Sequence, residues 1–252
     1  QSLIENNISV VTANKVAASS DYSSYLKLKE TARRTGVKFL FETNVGAGLP
    51  IISVLKDLRM SGDQILKIEA ILSGTISYIF NHFKGENTFA EVVKKAQELG
   101  YTEPDPRDDL SGIDFMRKML ILARDNGYEV EAADVKIDSI LPKSCLEAAT
   151  VEDFYRKLVN ENDYFEKIKY QAEAEQKVIR YIGILEDGKI SISLELVDNQ
   201  HPFYALSGSD NIISFTTARY KERPLVVKGP GAGAEVTAAG VFADLVNISS
   251  IR

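Results

Sequence analysis

Cysteine and histidine are both scarce in this chain of 252 residues: Cys145 is the single cysteine, and His82 and His201 are the two histidines. One cysteine excludes an internal disulfide framework and suits a reducing, cytoplasmic setting. Its neighbourhood, KSCLEA, holds no histidine, so the thiol reads as unreactive. Two histidines leave little for a zinc site or a histidine-based catalyst. No apolar run approaches the roughly 20 residues of a membrane span. There is no long basic run, and the formal net charge is −6, which argues against nucleic acid or an anionic membrane surface as the main partner. An initiator methionine and a signal peptide are also missing. The opening residues read as a helix end running into a strand, the pattern of an excised piece.

What is present centres on residues 101–118, YTEPDPRDDLSGIDFMRK. An acidic loop with Glu103, Asp105, Asp108 and Asp109, stiffened by Pro104 and Pro106, leads into a helix carrying Asp114 and Lys118. Their i, i+4 spacing puts carboxylate and ammonium on one helical face, one turn apart. A stiff acidic loop beside a lysine suits a small zwitterion that gives up or takes a proton. On composition alone, the acids read more readily as a solvated helix start favoured by the macrodipole.

Around this stretch the chain alternates strand and helix. Strands are expected at 8–12, 37–42 and 65–72, with a helix from an Asp21 cap to Arg34 and another opened by Pro50 at its first position. Thr88 and Glu91 match a capping box for a helix ending at Gly100. A helix at 112–126, a strand at 134–141 and a charged surface helix at 151–175 follow. Asp187-Gly188 marks a hairpin between 177–185 and 189–197, with strands near 211–218 and 224–228. The fold class is α/β: part of a Rossmann-type cofactor domain plus an α+β substrate domain with a mixed sheet and flanking helices. The divisions fall at 1–49 (cofactor domain with a glycine turn), 50–228 (substrate binding, catalysis and dimerisation) and 229–252 (glycine turn and helix returning to the cofactor side).

Three short stretches offer chemistry, each with a plain alternative. Lys15 follows a strand in VVTANK, where α/β proteins bind ligands, although a lone lysine is more often a surface residue. NVGAGL at 44–49 suits a phosphate cradle or a carbonyl-lined site for a hard cation helped by Glu42. GPGAGA at 229–234 suits close approach to a cofactor. Either glycine stretch reads equally as a tight turn. The missing Walker lysine-serine pair argues against a P-loop, and the acids at 103–109 do not fit an EF-hand.

Taken together and in order, VVTANK (10–15), ETNVGAGLPII (42–52), ILSGTISYIF (71–80), GYTEPDPRDDLSGIDFMRKMLILAR (100–124) and GAGAEVTAAGVFADL (231–245) resemble homoserine dehydrogenase, most closely the C-terminal part of the bifunctional aspartokinase–homoserine dehydrogenases. The resemblance covers nearly the whole chain. It implies NAD(P)-dependent interconversion of L-homoserine and L-aspartate 4-semialdehyde, a step of threonine and methionine biosynthesis, by a homodimer or larger assembly. By motif position it implies Lys118 as the catalytic lysine, with Glu103 and Asp114 holding homoserine. It places Lys15 near nicotinamide and substrate and Gly233 against the cofactor. Glu42 with the carbonyls of Val45, Ala47 and Leu49 matches a structural monovalent-cation site, usually sodium. The family's G-x-G-x-x-G fingerprint does not occur among these residues, so this piece by itself is expected to bind the nucleotide weakly and to turn over little.

The chemistry is consistent with that reading. Reducing an aldehyde needs a hydride and a proton for the nascent alkoxide, which a lysine ammonium can give. Neighbouring carboxylates are expected to raise the lysine pKa. The SGT turn at 73–75 is the candidate for the substrate carboxylate. Two rivals remain: a non-catalytic piece that dimerises and binds cation or amino acid, and a carboxylate-pair hydrolase. The hydrolase needs carboxyls facing each other across a bond, and here they cluster on one loop.

Overall fold

The computed structural model describes residues 1–249. Residues 250–252, the end of the expected returning segment, lie outside them. Two sheets organise the chain. Strands β1 (Val10–Val11) and β2 (Phe39–Leu40) pair in parallel. The second sheet has six strands in the order β4-β6-β5-β3-β7-β8, formed by β3 (Ile65–Ile71), β4 (Lys136–Ile137), β5 (Val178–Glu186), β6 (Lys189–Val197), β7 (Asp210–Thr217) and β8 (Leu225–Pro230). It is antiparallel except where β4 runs parallel to β6, so the sheet is mixed.

The helices pack on one face of this sheet, because its strands alternate. Ile68, Ala70, Tyr181, Leu185, Ile192, Ile213 and Phe215 join the main core, which also holds Leu120 and Ile121 from the helix Ile113–Asp125. On the other face a smaller cluster, Ile71, Ile182, Val197 and Ile212, is covered by Phe203 and Leu206. The buried Arg180 ties that cover down by donating to the carbonyls of Phe203, Tyr204 and Leu206.

Local signals place several elements. Asp21 caps the helix Tyr22–Thr35 through Ser24 N, and Thr88 and Glu91 complete their capping box. Asp187 and Gly188 both take positive φ, 48° and 75°, as a two-residue hairpin of primed type requires. Other expectations need correction. The strands expected at 8–12 and 37–42 shrink to two residues each, and Glu42–Asn44 winds into a 3₁₀ turn. Pro50 is not the first helical residue: the helix is Ile52–Met60 with Ile51 at its cap position, because the Glu42 carboxylate collects the amides of residues 51–53. The strand at 134–141 is only Lys136–Ile137 after a 3₁₀ turn, Ala132–Asp134. The helix at 151–175 is two, Val151–Asn160 and Asn162–Ala174, and it is not merely a surface element, since Phe154, Leu158 and Phe165 are fully buried.

The last helix, Ala234–Ser249, lies against the start of the chain. Asp244 accepts from the amide of Glu42 at 3.1 Å. Gly240 permits the approach: a Cβ there would come 2.6 Å from Thr43 Cγ2 and 3.2 Å from the Ala47 carbonyl. Helix propensity alone would favour alanine by about 0.5–1 kcal/mol. The contact reverses the sign, so Gly240→Ala is expected to cost about 1–2 kcal/mol net, through overpacking. Thermal unfolding checks this, and a variant more stable than wild type would refute the contact.

Candidate active site

Three of the sequence candidates meet around one carboxylate. Asp114 Oδ2 lies 2.9 Å from Lys118 Nζ and its Oδ1 3.1 Å from Lys15 Nζ. Lys118 also donates to the carbonyl of Leu72 at 2.7 Å, at the end of β3. Its side chain is only 12% exposed, whereas that of Asp114 is 52% exposed. The ammonium is therefore held from below by a backbone oxygen and from above by an acid that faces solvent. Lys15 reaches the pair because the turn after β1 is fixed twice. Asn14 Oδ1 accepts from Val16 N at 2.8 Å. The buried Asn44, its amide oriented as donor, holds the carbonyls of Thr12 at 3.0 Å and Ala13 at 3.2 Å.

Electrostatics follow from burial. Loss of solvation pushes the Lys118 pKa down, and the attraction of Asp114 only partly opposes it, so the net direction is below an ordinary lysine. Asp114 and Asp109 do raise it, as expected of neighbouring carboxylates, but the net shift is downward. Burial, which a sequence does not display, outweighs them. Burial pushes Asp114 up, but the ammonium groups of Lys118 and Lys15 more than offset it and hold the carboxyl below its usual value.

The acidic loop is part helix. Asp105 caps Pro106–Leu110 through Arg107 N at 3.0 Å, and the Arg107 guanidinium returns to the Asp105 carboxylate. Glu103 is exposed, and its backbone amide donates to Asp109 Oδ2 at 2.8 Å. Thr75, in the helix Gly74–His82, donates to the Tyr101 carbonyl at 2.6 Å and lies 3.0 Å from Asp109 Oδ1. Ser73 caps the same helix through Ile76 N. Asp109 thus joins the SGT turn to the loop, and desolvation, with Asp108 and Asp114 nearby, pushes its pKa up. Sequence reasoning did not choose it, since the pair Asp108-Asp109 gives no sign of which acid turns inward.

Among the described residues Gly233 and Glu42 make no hydrogen bond or ion pair with this trio, although Asn44 of the Glu42 turn braces the segment that carries Lys15. Gly233 is exposed, with φ 121°. Glu42 is half-buried, and its Oε1 accepts from Ile51 N at 2.6 Å and Ile52 N at 2.8 Å, while Oε2 accepts from Ser53 N at 2.8 Å. Burial raises its pKa despite these bonds. Val45, Ala47 and Leu49 follow on a turn in which Gly46 and Ala47 both have positive φ, 76° and 52°. Among the described residues no group of three or more His, Cys, Asp or Glu is placed to hold a metal ion, and no helix is long and apolar enough to cross a membrane.

The same architecture occurs in known proteins. A family model described as homoserine dehydrogenase matches residues 50–246. The chain is 48% identical over 249 residues to the chloroplastic bifunctional aspartokinase/homoserine dehydrogenase 2 of Zea mays, covering 98% of this chain and 27% of that protein. It is 46% identical over 255 residues to the homoserine dehydrogenase of Schizosaccharomyces pombe, covering 98% of this chain and 68% of that protein. A solved hyperthermophilic archaeal homoserine dehydrogenase in complex with NADPH shares the fold with a TM-score of 0.73 at 25% identity, covering 98% of this chain and 65% of that one. The chain spans about a quarter of the bifunctional plant relative and about two thirds of the fungal one. With a family match over residues 50–246 and a fungal relative aligned along nearly all of its length, the chain belongs to the homoserine dehydrogenase family.

Proposed function

We propose that the whole protein interconverts L-homoserine and L-aspartate 4-semialdehyde with NAD or NADP, and that Lys118 is its proton carrier. The observation that carries this is the buried Lys118 amine, anchored on Leu72 O and facing the half-open Asp114 carboxylate. When bound, the nicotinamide supplies or accepts the hydride. In the reducing direction the ammonium of Lys118 gives its proton to the alkoxide oxygen, and in the oxidising direction the amine takes it from the hydroxyl. A lowered pKa makes the amine accessible closer to neutrality. Asp114 and Glu103 bind the substrate ammonium, and the Ser73-capped helix start receives its carboxylate.

This chain's residues fit the edge of a nicotinamide nucleotide. Lys15 presents a cation, and Gly233 leaves its surroundings open, with Val236 Cγ2 3.6 Å from where a Cβ would stand. The NADPH in the archaeal relative supports NADP. In our reading Glu42 and the carbonyls of Val45, Ala47 and Leu49 would hold a hard monovalent cation, sodium, by the chemistry of oxygen donors, with Leu49 O shared with the Ile51 amide at 2.9 Å. The assembly we infer is a homodimer or larger. The compartment is cytoplasmic in our reading, on the strength of the single buried Cys145, although the maize relative is chloroplastic by name.

The test is homoserine oxidation by the full-length protein with NAD or NADP, in wild type and in Asp114→Asn. Burial favours the neutral amine and Asp114 favours the ammonium. Removing Asp114 therefore moves the inflection of the pH–rate profile to lower pH, with a raised KM for homoserine. A profile that stays put or moves up would exclude Lys118 as the titrating base, and no turnover in wild type would sink the reading.

A further inference from the structure

Asn211 stands one strand away from the anchor of the catalytic lysine. Ile71 of β3 pairs with Ile212 of β7, so Leu72 and Asn211 sit side by side where the two strands end. Ser77 Oγ contacts the Asp210 carbonyl at 3.3 Å, and a Cβ on Gly74 would come 3.0 Å from the Ser209 carbonyl. The SGT turn therefore packs against the same corner. On the other side Asn211 pairs with Gly229 of β8. The chain then crosses the Asn211 side chain, and a Cβ on Gly231 would overlap its amide.

The residue is 1% exposed, and among the described residues neither Oδ1 nor Nδ2 has a hydrogen-bond partner. Buried amides are almost always paired. The glycine backbone directly above offers what this one lacks, an N–H and a C=O. Residues 231 and 233 carry no Cβ, so their peptide planes can turn at small cost.

We propose that Asn211 is a positioning residue for the dinucleotide. When a nicotinamide nucleotide binds at Lys15 and Gly233, the peptides of 231–233 turn onto the Asn211 carboxamide. Its Oδ1 accepts from one of their N–H groups, and its Nδ2 donates to one of their carbonyls. The turn is then fixed beside the SGT corner where Lys118 is anchored. This rests on the dehydrogenase reading above.

The test uses the full-length protein as wild type, Asn211→Leu and Asn211→Ala. Leucine keeps the shape and removes both polar atoms, and alanine remains available should leucine fail to fold. The Kd for NADPH, by calorimetry, is expected to rise about ten-fold in each variant, the size of one to two net hydrogen bonds. The KM for NADPH should rise with it, while kcat at saturating NADPH stays within about two-fold, because transition-state chemistry is untouched. A leucine variant is expected to melt no lower than wild type, since an unpaired polar group has been removed. Hydrogen exchange at the amides of 231–234 should slow on NADPH binding in wild type and not in the variants. Unchanged NADPH affinity in the variants, or a fall in kcat and melting temperature with Kd unmoved, overturns the proposal and leaves the dehydrogenase reading standing. Wild-type protein that neither binds NADPH nor oxidises homoserine overturns both.

Discussion

Lys118→Ala in the full-length protein is expected to lower kcat for homoserine oxidation by about 10²–10⁴-fold, the usual worth of a positioned proton carrier. The fold should survive. Asp114 keeps Lys15 at 3.1 Å as its counter-ion, so no carboxylate is left without a partner, and the main loss is the bond to Leu72 O. Lys118→Arg sharpens the test. Arginine retains the charge but does not deprotonate in proteins, so it cannot serve as base in the oxidising direction. Both variants are therefore expected to be slow, with NADPH affinity close to wild type. Turnover near wild type in either would remove Lys118 from the chemistry. A large fall in melting temperature would recast it as a structural residue.

Glu42→Ala should cost the largest share of stability, about 3 kcal/mol or more, because it strips the acceptor from several buried amides at about 1–3 kcal/mol each. The donors are Ile52 N and Ser53 N, at the start of the helix Ile52–Met60, and Ile51 N, which keeps a second acceptor in the Leu49 carbonyl at 2.9 Å. Glu42→Gln should cost less, since one amide oxygen can still accept from residues 51 and 52. Urea unfolding with an unchanged m-value measures both. The cation reading adds a second arm: replacing sodium by choline should destabilise wild type and leave Glu42→Ala unmoved, by mass action on the folded state. A variant that unfolds at the wild-type midpoint would show that the cap is idle. Equal sensitivity of both proteins to sodium would place any cation elsewhere.

Most of what the sequence disclosed lay within a few residues of its own signal. The Thr88 and Glu91 box, the Asp187-Gly188 turn and the Asp114–Lys118 spacing each depend on neighbours in the chain, and each stands in the structure. What it hid was set by distant partners. Pro50 suggested a helix start, but the Glu42 carboxylate, nine to eleven residues away, moved it. The charged stretch 151–175 concealed Phe154 and Phe165, whose burial comes from packing on other helices. The net direction of the Lys118 pKa is hidden because adjacent acids are visible in a sequence and desolvation is not. Asp109 is visible in the sequence only as one acid of the loop, and Asn211 carries no sequence signal. Their roles appear only when Thr75 reaches the one and the glycine segment crosses the other.

The bond from the Glu42 amide to Asp244 spans 202 residues of sequence. During synthesis β1, β2 and the Glu42 turn leave the ribosome long before the helix that covers them. At about 5–20 residues per second that interval is roughly 10–40 s. For that time Thr43 and the Glu42 amide have no native cover, and their loop closes late and at high contact order. Chaperone dependence and aggregation should therefore concentrate around β2 and the Glu42 turn, residues 39–47. Released chains that end before Asp244 should be cut by protease within residues 1–50 while the six-stranded sheet is resistant.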